Sequence, residues 1–375
     1  MVTIAVQALT AVAALLHLGL WGVLLLNLAY LRRTPAPNVS STPTVTVCIP
    51  ARNEAQNLRR LLPTLLRQDY PSFEIIVCDD GSDDATWSVL QSFDTPALRA
   101  IRGQGPPDGW IGKVHALYQC TRRASGERYL FLDADAELTG TDALRQLVGK
   151  HETAASGVTT GLPRLRGAAA LLVSLVPYSL LTGLPWPLVP RTDLPVLSAL
   201  NGQCWVIDAT LYHRLEPHER LRNAVLEDVA IGRYLKREGH PPVLRDVQAH
   251  VSVHMYDGFW AAWTGFRKNA YLLLGGAPLP FVGMYGYFVL TWLVAPLLSP
   301  WFLVSLYGLK STTDRANGFS PATSLGAPVS FGLGLALQLD SAVHHWTDRV
   351  TWKGRSVPSS RPPDEDPASL EQTPT

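Results

Sequence analysis

The stretch Glu74–Thr86, EIIVCDDGSDDAT, places an apolar run directly before four aspartates in six positions. The run Phe73–Cys78 is typical of a buried β-strand. Carboxylates packed this closely repel, and each makes its neighbours harder to ionise. Either a ligand offsets that repulsion or water surrounds the group. Whether a ligand or water surrounds these carboxylates depends on which other residues of the chain lie at the end of this strand.

Strand and helix patterns alternate from residue 44 to about residue 275. The spacing of apolar residues predicts, in order, a strand over Thr44–Ile49, a helix over Asn53–Gln68 with Asn53 as its cap, the strand Phe73–Cys78, a helix over Asp83–Phe93, a strand over Tyr129–Leu132 and a helix over Asp142–Lys150. This alternation indicates a Rossmann-like α/β domain with a mostly parallel sheet. Ligands of such sheets bind beyond the carboxyl ends of the strands.

Two acidic groups follow two of these strands. Asp79 and Asp80 leave one strand, and Asp133 and Asp135 leave another, so both groups are expected at the same edge of the sheet. Carboxylate oxygens suit Mg²⁺ or Mn²⁺, and a divalent cation there would attract a diphosphate. Asp83 and Asp84 are better explained as stabilising a helix start. The sequence therefore favours a bound ligand over simple hydration.

Composition limits the possible functions. The 375 residues carry a formal net charge of +1, so no bulk positive field indicates nucleic-acid binding. Only 17% of residues are charged and 47% are hydrophobic, which indicates a soluble domain joined to membrane segments. The four cysteines lack metal-site spacing and are expected to be reduced, as in a cytoplasmic domain.

Three apolar regions are expected to cross a membrane. Residues 1–33 form the first, because the run is long enough and lacks the basic start and cleavage site of a signal peptide. Further spans are expected within 279–345, about Leu279–Leu309 and Ser324–Val343, with Lys310–Arg315 between them. Arg32 and Arg33 place the domain at 44–275 in the cytoplasm of a cell inner membrane. Residues 346–375 are expected to form a cytoplasmic tail with a disordered end.

A fourth apolar stretch, about residues 168–190, is interrupted by three prolines and a glycine. It can lie in the membrane interface or line an acceptor entrance. An ordinary core helix explains the same composition equally well.

Several motifs in this order resemble the family 2 glycosyltransferases: Ile49-Pro-Ala-Arg-Asn-Glu54, Val77-Cys-Asp-Asp-Gly-Ser82, Gly109-Trp-Ile-Gly-Lys113, Asp133-Ala-Asp135 and Leu226-Glu-Asp228. The resemblance covers about Val45–Asn269 and implies the GT-A fold and inversion at the anomeric carbon. The flanking spans and Trp352-Lys-Gly-Arg355 look most like the membrane-bound branch that glycosylates lipids such as ceramides, hopanoids and carotenoids.

The resemblance implies a role for each matching residue. Pro50, Ala51, Glu54, Asp79 and Asp80 would hold the base and ribose of a nucleotide sugar. Lys113 and Asp133 would lie beside the donor, and Asp135 would bind Mg²⁺ or Mn²⁺. Asp228 would be the catalytic base, a role that an inverting transfer requires opposite the leaving group. Glu227-Asp228 also fits a plain helix start before Val229.

On the acceptor side the assignments are less specific. Gln203 and Glu227 match the family's acceptor region, although Asn201-Gly-Gln203 also fits a polar turn. Trp263 and Arg267 occupy the place where processive members carry Gln-x-x-Arg-Trp, which is absent from this sequence. Arg267 could meet a diphosphate or simply belong to a basic membrane edge. His250 and His254, without a carboxylate or cysteine partner, are expected to be structural.

These features predict inverting transfer of one hexose, from a donor such as UDP-glucose, to a hydroxyl of a membrane lipid. A polyprenyl-phosphate acceptor or processive polysaccharide synthesis is the alternative, and the missing Gln-x-x-Arg-Trp argues against the processive form. A non-catalytic membrane receptor with a degenerate domain is a third hypothesis. It predicts loss of the metal or base carboxylates, and all of them are present.

Overall fold

The computed structural model describes residues 2–352 and 355–356 and divides them into two compact units. One unit contains residues 2–32, 165–187 and the described residues from 255 onward; the other contains residues 33–164 and 188–254. The motif Trp352-Lys-Gly-Arg355 is only partly described, and the expected disordered tail end lies outside the described residues.

The strands in the described part of the chain are β1 (Val45–Ala51), β2 (Phe73–Asp79), β3 (Leu98–Arg102), β4 (Arg128–Leu132), β5 (Ala136–Leu138), β6 (Val158–Leu162), β7 (Arg164–Arg166), β8 (Cys204–Asp208), β9 (Val243–Asp246), β10 (Val251–His254), β11 (Thr351–Trp352) and β12 (Arg355–Ser356).

The α-helices of the same residues are α1 (Val2–Arg32), α2 (Ala55–Leu66), α3 (Thr86–Gln91), α4 (Gly112–Thr121), α5 (Ala143–His151), α6 (Ala170–Val173), α7 (Leu175–Gly183), α8 (Ala209–Leu215), α9 (Pro217–Arg220), α10 (Glu227–Arg237), α11 (Phe259–Leu273), α12 (Pro278–Val289), α13 (Ala295–Leu298), α14 (Pro300–Ala316), α15 (Pro321–Leu325) and α16 (Ala327–Trp346). A 3₁₀ turn spans Trp186–Arg191, and a π turn spans Leu290–Val294.

The unit containing residues 33–164 and 188–254 is built on a seven-stranded sheet in the order β3-β2-β1-β4-β8-β6-β9. Strands β3, β2, β1 and β4 run parallel, as do β6 and β9, and β8 is antiparallel to both of its neighbours. The expectation of a mostly parallel α/β sheet is confirmed. The antiparallel β8 begins at the edge where β4 ends, since Cys204 pairs with Leu132.

Buried, β-branched sequence explains the central strands. β1 reads VTVCIPA, and six of its seven residues are buried. The expected end of this strand at Ile49 is two residues short, since Pro50 and Ala51 still pair with Cys78 and Asp79. Proline is tolerated there because it stands next to the last residue of the strand, where few ladder bonds remain to be lost.

Helix α2 covers the sheet with the leucines expected from the sequence, among them Leu58, Leu61 and Leu65, which are fully buried. Its start differs from the expectation. Glu54 is the N-cap residue, and Asn53 adopts a positive φ of 54°. The side chain of Asn53 instead accepts a hydrogen bond from the Asp83 N–H at 2.8 Å. Asn53 therefore fastens the next loop and does not cap α2.

The other unit is helical and apolar. Two of its helical segments, Thr3–Arg32 and Pro278–Leu298, are long and apolar enough to cross a membrane by length and composition. The third expected span corresponds to α16, which is not among them in the part of the chain described here. The stretch expected near 168–190 forms α6, α7 and the 3₁₀ turn. Its end is held by Asn27 of α1, which is buried and bonds Leu181 O, Leu184 O and the Trp186 N–H.

Candidate active site

The loops after β1 and β2 lie side by side. The Asp80 N–H donates to Ala51 O at 2.8 Å, and Glu54 N–H donates to the Thr86 hydroxyl at 2.8 Å. Pro50, Ala51, Glu54, Asp79 and Asp80 thus occupy the ends of two adjacent strands. The structure brings together these five residues, which the sequence assigned to the donor.

The carboxylate of Asp79 orders its own turn. It is almost fully buried, and its Oδ1 accepts hydrogen bonds from the backbone N–H and the hydroxyl of Ser82. Gly103 packs against the same strand end, where a Cβ would stand 2.9 Å from Asp79 O. Asp79 therefore shapes the loop that presents Asp80.

Asp84 holds the neighbouring helix starts, as the sequence suggested. Its Oδ1 accepts from the Thr86 N–H at 2.9 Å, and its Oδ2 accepts from the Ala55 N–H at 3.3 Å. Burial alone would raise the pKa of the Asp84 carboxyl, but these hydrogen bonds outweigh burial and lower it. Within the opening stretch, Asp79 therefore orders the loop after β2, whereas Asp84 caps the starts of α2 and α3.

Lys113 lies at the centre of a second group of charges. It stands in the first turn of α4, and its Nζ lies 2.8 Å from Asp133 Oδ1 and 2.8 Å from Glu227 Oε1. Burial by itself would lower the pKa of the Lys113 ammonium. The charges of Asp133, Glu227 and Asp228 outweigh that effect and hold the pKa well above its usual value. Lys113 joins the end of β4 to the start of α10.

Asp228 stands in the first turn of α10, where backbone N–H groups point toward carboxylates. Its Oδ1 accepts from the Val229 N–H at 2.8 Å and its Oδ2 from the Gly202 N–H at 3.2 Å. Burial, and then the charge of Glu227, raise the pKa of Asp228 to about 6, although Lys113 and the two N–H groups pull it down. The carboxylate is thus ionised at neutral pH, yet more basic than an ordinary aspartate.

The turn before β8 completes this cluster. The Asp133 N–H donates to Gln203 O at 3.3 Å, so the backbone of Gln203 lies against the end of β4. Gly202 is a site residue that no motif in the sequence indicated. Its N–H reaches Asp228, and its Cα faces Asp228 and Lys113. The signal was the Asn-Gly pair itself, which is typical of a tight turn.

Asp133 and Asp135 follow β4, two strands away from the Asp79–Asp80 group, because β1 lies between β2 and β4. At the usual strand spacing the two groups are about 10 Å apart. Among the described residues no three His, Cys, Asp or Glu side chains are grouped to form a metal cage. Mg²⁺ and Mn²⁺ at phosphate sites use one or two carboxylates together with phosphate oxygens. A single carboxylate such as Asp135, at this edge, fits that mode of binding.

Trp263 and Arg267 belong to the helical unit. Trp263 Nε1 donates to Asp340 Oδ2 at 2.7 Å, and Arg267 Nη1 lies 3.5 Å from the same oxygen. Both side chains thus join α11 to α16, and their expected acceptor-side role stays a prediction.

Comparison with known proteins bears on the domain built around this cluster. Residues 46–174 match the sequence model described as glycosyl transferase family 2. A 4,4'-diaponeurosporenoate glycosyltransferase of Staphylococcus aureus strain N315 is 26% identical over 272 residues, 68% of this chain and 68% of the relative. The protein of the same name from strain USA300 is 26% identical over 249 residues, 62% of each chain.

A solved structure shares the fold. It is the mannosyltransferase PcManGT from Pyrobaculum calidifontis in complex with GDP-Man and Mn²⁺, with a TM-score of 0.56 and 22% identity. The similarity covers 91% of this chain and 99% of that one. The expected GT-A fold is confirmed.

Proposed function

Because residues 46–174 match the glycosyl transferase family 2 model, we propose that this chain belongs to that family and transfers one hexose from a nucleoside diphosphate sugar to a membrane lipid, with inversion. The observation that carries the proposal is the Asp228 carboxylate, held beside Glu227 and Lys113 with its pKa raised to about 6. A carboxylate with this pKa is mostly deprotonated at neutral pH and can accept a proton from a reacting group.

In the proposed reaction the acceptor oxygen attacks the anomeric carbon from the side opposite the diphosphate. The bond from that carbon to the phosphate oxygen breaks, and the nucleoside diphosphate leaves with the bonding electrons. Asp228 takes the proton of the acceptor hydroxyl as the new bond forms. Attack from the opposite face makes inversion the consequence of a single displacement.

The carboxyl groups around Lys113 support a proposed requirement for a divalent cation. One ammonium faces three carboxyl groups, those of Asp133, Glu227 and Asp228, so carboxyl groups outnumber cations in this part of the site. A diphosphate would be repelled by such a cluster. Mg²⁺ or Mn²⁺ bound through Asp135 would neutralise the negative charge that builds on the leaving diphosphate.

Lys113 is proposed to bind the donor directly. Its ammonium remains protonated because the neighbouring carboxylates raise its pKa, and an ammonium is a suitable partner for phosphate oxygens. Pro50, Ala51, Glu54, Asp79 and Asp80 are proposed to hold the base and ribose, since they line the adjacent strand ends. Gln203 and Glu227 are proposed to face the acceptor.

Support for a lipid acceptor comes from two sources. The segments Thr3–Arg32 and Pro278–Leu298 are suited by length and composition to a bilayer, and the curated relatives are named for glycosylation of 4,4'-diaponeurosporenoate. Arg32 and Arg33 favour an inner-membrane protein whose glycosyltransferase domain lies in the cytoplasm. The missing Gln-x-x-Arg-Trp supports a single transfer.

The experiment is a donor and acceptor panel with the purified full chain in lipid nanodiscs. UDP-glucose, UDP-N-acetylglucosamine and GDP-mannose are each supplied with Mg²⁺ or Mn²⁺. Long-chain alcohols and long-chain carboxylic acids serve as acceptors, because the suffix of the relative's acceptor denotes a carboxylate. We expect one donor to give a glycolipid of inverted configuration, detected by mass spectrometry and NMR.

Chelation with EDTA is expected to abolish product formation, and re-addition of Mn²⁺ or Mg²⁺ to restore it. A glycolipid whose anomeric configuration is retained would contradict the proposed displacement. A product that lengthens stepwise would favour a processive synthase instead.

A further inference from the structure

The turn formed by Asn201, Gly202 and Gln203 is fixed on all sides by hydrogen bonds. The Asn201 N–H donates to the Thr160 hydroxyl at 2.7 Å, and the Asn201 side-chain amide donates to Gly161 O at 3.1 Å. Within the turn, the Asn201 Oδ1 accepts from the Gln203 N–H at 3.2 Å. The turn is therefore anchored to β6, two strands away from β4.

The turn and Leu200, the residue before it, contact the start of α10 at two points. The Leu200 N–H donates to Asp228 O at 3.3 Å, and the Gly202 N–H donates to Asp228 Oδ2 at 3.2 Å. One bond therefore fixes the backbone of Asp228, and the other fixes its side chain. An oxygen held in this way has a single direction in which its remaining lone pair can accept a proton.

Gly202 also leaves space that a side chain would fill. A Cβ at this position would lie 3.2 Å from Asp228 Cβ, 3.3 Å from Asp228 Oδ2 and 3.3 Å from Lys113 Nζ. Contacts this short would force the carboxylate or the ammonium to move. A side chain at residue 202 would therefore displace Asp228 or Lys113 by a few tenths of an ångström.

We propose that Thr160, Asn201 and Gly202 form a positioning device that orients the carboxylate of Asp228 for proton transfer. The inference rests on the proposed role of Asp228 as base. Thr160 and Asn201 touch no reacting atom in this scheme. They act through the Gly202 N–H, which they hold in place.

The hydrogen bond from Gly202 also affects the protonation of Asp228. The charged groups that face Asp228 are Glu227 on its own helix and Lys113 from α4, with Asp133 on the far side of Lys113. The Gly202 N–H favours the ionised form of Asp228, as does Lys113. Loosening the turn therefore makes Asp228 easier to protonate while the neighbouring charges remain.

A pair of matched variants tests the device, because Thr159 and Thr160 are adjacent buried residues of β6 with different partners. Thr160→Val removes the hydroxyl that accepts from Asn201. Thr159→Val removes the hydroxyl that contacts His151 Nδ1 at 3.1 Å, in a different cluster. Both changes replace a buried threonine by an isosteric valine in the same strand.

The readout is carbodiimide labelling of residue 228, which is half-buried and so accessible to a small reagent. Carbodiimides react with the protonated carboxyl, so the extent of labelling against pH, followed by peptide mass spectrometry, reports its titration. We expect the midpoint in Thr160→Val to lie about 0.5–1 pH unit above that of the unaltered chain. The midpoint in Thr159→Val is expected to be unchanged.

Turnover by the same variants separates positioning from stability. With the donor chosen from the panel, Thr160→Val should lower kcat by about tenfold or more and leave the donor KM within twofold. Asn201→Ala, which also frees the turn, should reproduce both effects. It provides the second test if Thr160→Val fails to give folded protein.

Equal labelling midpoints for Thr160→Val, Asn201→Ala and the unaltered chain would overturn the inference. So would an equal upward shift in Thr159→Val, because that result would indicate general loosening of β6. The proposed function is tested separately by turnover of Asp228→Asn. If Asp228→Asn keeps its activity, Asp228 is not the base. The labelling curve of the Thr160→Val variant would still report whether Thr160 positions the carboxylate of Asp228.

Discussion

The two charged neighbours of Asp228, Glu227 and Lys113, shift its pKa in opposite directions. Glu227 raises the pKa of Asp228 and Lys113 lowers it. Removing the charge of Glu227 should therefore lower the pKa of Asp228, and removing the charge of Lys113 should raise it. A general base acts only when deprotonated, so in the proposed role of Asp228 turnover should fall as the pH drops through about 6. Two substitutions follow from these signs.

Glu227→Gln should move the acid limb of the kcat/KM profile to lower pH by about one unit, because the nearby negative charge that disfavours ionisation of Asp228 is gone. The measurement is kcat/KM between pH 4.5 and 8 with the donor chosen from the panel. Glu238→Gln, at the exposed end of the same helix, is the control and should leave the profile in place. An acid limb that stays put or moves upward in Glu227→Gln would contradict the assignment.

Lys113→Met should have the reverse effect on protonation. Loss of the ammonium removes a charge that favours ionised Asp228, so the acid limb should move to higher pH by about one unit. The donor KM should also rise if Lys113 binds the diphosphate. Lys113→Arg keeps the charge and should restore most of the pH profile. A Lys113→Met enzyme with an unchanged acid limb and donor KM would exclude both roles.

At the level of secondary-structure elements, the carboxyl and amino ends of the parallel strands carry different groups of polar residues. The carboxyl edge carries the charged cluster, and the opposite edge carries Glu74, whose Oε1 accepts from the Thr46 hydroxyl, the Ser125 N–H and the Ser125 hydroxyl at 2.7–2.8 Å. Burial alone would raise the pKa of Glu74, but these bonds outweigh it and lower the pKa. Glu74 therefore connects β2, β1 and the loop before β4.

Glu74→Gln should destabilise the fold by about 1 kcal/mol, because the charge that strengthens these bonds is lost. Thermal unfolding in detergent is the measurement. The deficit should be present at neutral pH and shrink as the pH falls through the lowered pKa of Glu74, where the unaltered protein loses the same charge. Asp94→Asn, in the exposed loop before β3, is the control. A deficit independent of pH would indicate a packing defect.

The strands β1, β2 and β4 were predictable from sequence because each is a local apolar pattern. β2 and β4 appear as short apolar runs, and parallel pairing follows from the helices between them. The cap of α2 was not predictable. Its first N–H groups are satisfied by Asp84 and Thr86 of the next loop, a contact between residues about thirty positions apart in the chain.

In the candidate site, too, residues within motifs were predictable, whereas contacts between distant segments were not. Motifs pointed to Asp133, Lys113 and Asp228, and the structure places all three in one cluster. The pairing of Lys113 with Glu227 and the bond from Gly202 to Asp228 join distant segments, so no spacing in the sequence reveals them. Roles assigned to Trp263 and Arg267 rest on the family resemblance and stay predictions.

At the scale of the whole molecule, the helical unit has its own buried charges. Lys310 Nζ lies 2.5 Å from Asp314 Oδ1 and 2.8 Å from Ser174 Oγ, and Ser324 donates to Asp314 Oδ2 at 2.9 Å. Both charged side chains are fully buried. The pair joins the start of α7 to α14 and α15.

Asp314→Leu alone should destabilise the protein by about 3–5 kcal/mol, since it leaves the Lys310 ammonium buried without its counter-charge. The double variant Lys310→Met with Asp314→Leu should recover most of that loss. Thermal unfolding of the single and double variants in one detergent completes the cycle. A double variant no more stable than Asp314→Leu would contradict this expectation, because the unpaired ammonium would then not be the cause of the loss.

The account of the whole molecule depends most on Asp228 as the base. The most direct test is turnover and donor binding by Asp228→Asn, a change that keeps the shape of the side chain and removes its capacity to accept a proton. We expect kcat to fall by about 10²–10⁴-fold, with donor affinity by calorimetry within a few-fold of the unaltered enzyme. Turnover within a few-fold of the unaltered enzyme at pH 7.5 would contradict the account.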